Sequence, residues 1–236
     1  MKSSKYIKKY NNMFYLDQYA FEHPKKTYFK RVLKSFLIII PFILIMSAVS
    51  IILTTNNDKY EKGILTETSF TSKYLQISFT VPDGYIIATE DETEKLLINA
   101  GEQVFKDDIK KEIDFTKLTK VLEMFVQMPI GLPNVSLYVE MTQKNMTITQ
   151  YIDAVKKKTP EIITVETIFD DNITDVIIAG QLYKKVTARV NYQGVKIIQN
   201  YFLRKIDNRI TGITLTFNDE TMIQANELLA AFKPYK

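Results

Sequence analysis

Apolar and polar positions divide this chain into stretches of different character. From Phe36 to Thr54, nineteen residues run without a charge, and thirteen of them are Phe, Leu, Ile or Val. As a helix at ~1.5 Å per residue the run reaches roughly 28 Å, close to the hydrocarbon thickness of a bilayer. No polar face interrupts it, as one would in a core helix of a soluble domain. Pro41 falls one turn in, where a kink is tolerated in a membrane. Residues 36–54 are therefore predicted to form one transmembrane helix. Residues 55–73 are polar and unpatterned and read as a stalk or linker.

Beyond residue 73 the pattern turns regular. Leu75, Ile77, Phe79 and Val81 alternate with polar residues, as in a half-buried strand, and Pro82-Asp83-Gly84 turns into Tyr85-Ile86-Ile87. Residues 90–113 are charged with spaced aliphatics and predict one or two helices. Val121–Met128 reads as a strand, Ile130–Asn134 as a loop, and Val135, Leu137, Val139 and Met141 as a second alternating strand. Thr147-Ile148-Thr149-Gln150 is a capping box, opening a helix whose stripe is Ile148, Tyr151, Ile152 and Val155 and which Pro160 is expected to stop. Strands follow over 163–169, 175–190 with a turn near Gly180, 195–204 and 209–217. Asp219 is expected to cap a last helix with Met222, Ala225, Leu229 and Phe232 on one face. Phe79, Val81, Val139, Ile152, Leu215 and Phe232 are the expected core. The order predicts an α+β domain over residues 74–236, an antiparallel sheet sandwiched by helices and preceded by the transmembrane helix.

Charge adds an orientation. Residues 1–35 are a basic arm: nine Lys/Arg and two acids lie before residue 35, net +7, whereas residues 55–236 are net −3. Lys25, Lys26, Lys30, Arg31 and Lys34 stand just before the span, so the arm is expected in the cytoplasm and the large C-terminal part outside. These cations suit the membrane surface, and tyrosines and phenylalanines among them suit its interface. The lipid bilayer is one expected partner; the mildly acidic remainder speaks against nucleic acid. Ala48-Val49-Ser50 resembles a signal-peptidase site, but the long arm and the continuing run Ile51-Ile52-Leu53 favour an uncleaved anchor.

Composition narrows the chemistry. The chain has no Cys and one His, His23, which excludes disulfides, thiolate metal sites and Cys nucleophiles and leaves little room for a catalytic triad. Asp170, Asp171 and Asp175 are the best metal candidates. The segment lacks the Gly and Glu of the usual calcium loop, so a solvated connection is the simpler reading. Asp91, Glu92 and Glu94 suit a helix start better than acid–base work. Lys106, Lys110, Lys111, Lys117 and Lys120 are interleaved with acids and read as a solvated surface. Asn134, Asn145 and Asn172 begin glycosylation sequons, relevant only in a eukaryotic secretory pathway. No phosphate-binding or nucleophile-elbow motif is present. No cofactor is expected.

Phe79-Thr-Val-Pro-Asp-Gly-Tyr85 resembles the opening F-x-(I/V)-P-x-G-(W/Y) of PsbP-like domains. Pro133–Val139 with Ile148–Tyr151 is similar to that superfamily's central strand and helix. Gly180–Tyr192, Gln199–Arg204 and Ile210–Phe217 resemble its late meander. Tyr85 stands where Trp is commoner. The resemblance implies a membrane-tethered, extracytoplasmic bacterial form of that fold, and a binding or assembly module in place of an enzyme, with a protein or cell-envelope partner. An envelope-acting carboxylate hydrolase and an accessory subunit of a membrane complex are the alternatives.

Overall fold

The computed structural model describes residues 60–89, 92, 120–129, 131–162, 165–192 and 194–236. The basic arm, the apolar run 36–54 and, Glu92 apart, the helices expected over 90–113 lie outside them. Among the described residues no helix is long and apolar enough to cross a membrane.

Alternating residues build two antiparallel sheets. The smaller joins β1 (Ile64–Leu65), β2 (Ser69–Ser72), β3 (Ile77–Thr80) and β12 (Phe232–Pro234) in that order. The larger contains β4 (Ile86–Ile87), β5 (Lys120–Gln127), β6 (Asn134–Met141), β7 (Glu166–Phe169), β8 (Thr174–Ile178), β9 (Gln181–Tyr192), β10 (Val195–Ile206) and β11 (Arg209–Phe217). Its order is β4-β5-β6-β11-β10-β9-β7, with β8 also paired to β9. Val135, Leu137 and Val139 of β6 lie opposite Leu215, Ile213 and Thr211 of β11 and present an apolar face. Phe70, Ile77, Phe79 and Phe232 of the small sheet pack onto that face. The rings of Phe79 and Phe232 meet edge to face at 4.8 Å. Of the expected core, Val81 alone is half-buried, packed against the cluster.

The architecture corrects the expectation of a sheet sandwiched by helices. Among the described residues, α1 (Ile148–Ile162) and α2 (Met222–Ala230) are helical, as is Glu92, and the apolar face of the large sheet is covered chiefly by a second sheet. Two local misreadings hide that sheet. Residues 64–72, expected within a linker, supply β1 and β2. Phe232, expected on the last helix, belongs to β12 and pairs with Phe79 of β3.

The helix signals hold with adjustments. Thr147 and Gln150 form the reciprocal cap of α1: the Thr147 amide donates to Gln150 Oε1 at 2.9 Å and the Gln150 amide to Thr147 Oγ1 at 3.2 Å. Tyr151, Ile152 and Val155 are buried as the stripe requires. Pro160 lies inside α1 and does not stop it, because a proline in the last turn breaks the ladder where little helix remains. Asn218, not Asp219, is the capping residue, and it caps the 3-10 turn Asp219–Thr221 that leads into α2; its Oδ1 accepts from the Thr221 amide at 3.0 Å.

Candidate functional site: a groove along the edge of β5

The face of the large sheet turned away from the small sheet carries polar side chains, yet it is buried. Asn134, Ser136, Tyr138 and Glu140 of β6 all point to it, at most 1% exposed. Lys120, expected in solvent, is 5% exposed because its register partner across β5 and β6 is Glu140. Its Nζ lies 3.1 Å from Glu140 Oε2 and 4.6 Å from the centre of the Tyr138 ring. Tyr151 of α1 donates its hydroxyl to the same carboxylate. Burial pushes the Lys120 ammonium below its usual range, and Glu140 opposes the shift. Burial also raises the phenols of Tyr138, Tyr151 and Tyr201. The Tyr138 ring lies over Gly212, where a Cβ would collide with it.

On β5 itself the pairing with β6 shifts between Leu122 and Met124, so Glu123 is the extra residue of a β-bulge. Its carboxylate is re-aimed towards the strand that enters the small sheet. It accepts the Tyr60 hydroxyl at 2.5 Å and the Gly63 amide at 2.9 Å. Arg209 sits 4.5 Å over the Tyr60 ring, and Tyr74 meets that ring edge-on at 5.2 Å. Burial raises the Glu123 pKa against the pull of those two hydrogen bonds, and raises the Tyr60 phenol as well.

The clasp at Glu123 leaves a groove of about 1020 Å³ beside it. One bank is Lys62–Glu67 without Ile64, another is Tyr85–Thr89, and Lys120–Phe125 of β5 line the groove between them. β4 pairs with β5 only at Val126 and Gln127, and the Ala88 amide donates to the Phe125 carbonyl at 3.0 Å. From Val121 to Met124, β5 therefore has β6 on one side and, among the described residues, no strand on the other.

The acids singled out in the sequence lie elsewhere. Asp170 pairs with Arg189, Asp175 lies 2.6 Å from Lys184 across the β8–β9 hairpin, and Asp171 is exposed. Among the described residues no three metal-ligating side chains gather. Glu92 caps the chain locally, accepting the Thr89 amide at 3.0 Å. Asp91, Glu94, His23, the other four lysines of the expected solvated set and the arm cations Lys25–Lys34 lie outside the described residues. Asn134 is fully buried, so its sequon is closed in the folded domain. Sequence reasoning missed Glu123, Tyr60, Glu140 and Tyr151. A charged residue inside an apolar strand, Glu123 in Val121–Met128, was the available signal.

No family model matches the chain. No curated protein matches it either. Among solved structures, it is similar to the solution structure of cyanobacterial PsbP (CyanoP) from Synechocystis sp. PCC 6803, at 10% identity and a TM-score of 0.42, over 78% of this chain and 99% of that one. A crystal structure from Bacteroides thetaiotaomicron VPI-5482 is similar at 12% identity and a TM-score of 0.37, over 73% of this chain and 50% of that one.

Proposed function

We propose that this chain is a membrane-anchored, extracytoplasmic binding or assembly module that performs no chemistry of its own. The observation that carries the reading is the state of the two buried ionisable groups that line the groove, Glu123 and Lys120. Glu123 is engaged by Tyr60 and Gly63, and Lys120 by Glu140. Groups so engaged hold a surface in shape, whereas a general acid or base must be turned towards a substrate. The groove's lining is otherwise largely apolar or backbone, as binding sites are. The uncharged run 36–54 supports the anchor, and Lys25, Lys26, Lys30, Arg31 and Lys34 support an inward-facing arm. The lipid bilayer is then the first partner, and a protein or envelope component at the outer face the second.

Protease added to intact protoplasts tests the topology. It is expected to remove the chain after residue 60 and spare residues 1–34; a protected C-terminal domain overturns the proposal. A photo-crosslinking side chain at Leu122, in the groove, tests the binding role in the same cells. Substrate turnover by the purified full chain, abolished by Glu123→Gln, would overturn the non-catalytic reading.

A further inference from the structure

We infer that the groove takes an extended peptide segment as an added strand on β5. The inference rests on the binding-module reading and names its class of partner. The first warrant is the strand edge. Val121, Leu122 and Met124 are paired to β6 on one side, with Glu123 bulged between them, and the stretch faces the groove on the other, without a strand among the described residues. An antiparallel strand directs about half its amides and carbonyls to each side, so this edge offers main-chain donors and acceptors to whatever lies in the groove. A main chain in extended conformation satisfies them; a lipid tail cannot.

The second warrant is that the groove is held open. Glu123 projects from the bulge and fastens the opposite bank through Gly63 and Tyr60, which keeps that bank alongside the edge without pairing to it. β4 stops after two paired residues, and among the described residues no strand continues its line along Val121–Met124. An incoming segment would extend the line of β4, with Leu122 and Leu65 beside it, so apolar or small side chains suit it. The third warrant is reach. Tyr60 lies six positions after Thr54, roughly 20 Å when fully extended. If 36–54 spans the bilayer, the groove is confined near its surface. The donor is then a membrane-proximal stretch of another protein.

The test uses the full chain in phosphatidylcholine nanodiscs. The probe is a blocked heptapeptide of alternating threonine and valine, paired with a copy N-methylated at alternate amides. Main-chain recognition tolerates sequence, so the plain peptide is expected to bind and to slow hydrogen exchange at the edge amides of Val121–Met124 by about tenfold. The methylated copy should leave them unchanged, and Leu122→Lys should weaken the plain peptide by about tenfold. No binding at millimolar peptide overturns the inference. So does equal binding of the methylated copy, or edge amides already as slow without peptide as those facing β6. Equal protection by added phosphatidylglycerol alone makes the groove a lipid site and overturns it too. The protoplast assay is independent of all these outcomes, so the peptide site fails separately from the anchored-module reading.

Discussion

A lysine and a glutamate that face each other across β5 and β6 are both out of water, and each is the other's counter-charge. Lys120→Ala or Glu140→Ala is expected to cost about 3–5 kcal/mol, and the joint change Lys120→Met with Glu140→Leu much less. Urea denaturation of the four proteins measures this. Gly212→Ala should cost about 1–3 kcal/mol, because the Tyr138 ring is buried where the new methyl would go. The same denaturation assay checks it, and equal stability would show that Tyr138 moves freely. Glu123 predicts a pH dependence. Its folded pKa lies above the ordinary 4.5, burial being the main cause. Between those two pKa values the folded protein keeps a proton that the unfolded chain has released. Stability therefore falls as pH rises across that window and levels above it. Glu123→Gln should remove that slope in melting temperature against pH.

Elements that announce themselves by local chemistry were legible, and those defined by what covers them were not. The Thr147–Gln150 box was readable because both its partners lie within four residues; Thr147→Ala should cost about 1 kcal/mol, measured by denaturation. The meander β8–β11 was readable from long alternating runs broken by turns. β2 was not, because Phe70 is its one large apolar residue and its other inward position is Ser72. β6 was found as a strand but half misread. Ser136, Tyr138 and Glu140 look like solvent positions, and α1, whose Tyr151 reaches Glu140, is remote from them in pattern. The groove depends on where β4 ends against β5, a pairing that no run of residues encodes alone.

Across the whole molecule, tyrosines bind the layers together. The Tyr85 hydroxyl donates to the Gln224 carbonyl of α2 at 3.1 Å, and burial, with Glu227 nearby, raises its pKa to about 12. Unfolded tyrosines ionise near 10, so between 10 and 12 the folded protein retains protons that the unfolded chain loses, and stability falls as pH rises. Tyr60, Tyr138, Tyr151, Tyr183 and Tyr201 shift in the same direction. Tyrosinate absorbance is therefore expected to appear together with loss of circular dichroism on alkaline titration, with little before it from these six. The small sheet, meanwhile, is closed from far along the chain: Ser78 and Lys233, side by side on β3 and β12, are 155 residues apart. Ribosomes add ~5–20 residues per second, so roughly eight to thirty seconds pass between the making of Phe79 and that of Phe232. For that interval the nascent chain carries β3 without its last neighbour and Phe79 without its ring partner, a window in which a holding chaperone has an apolar strand edge to bind.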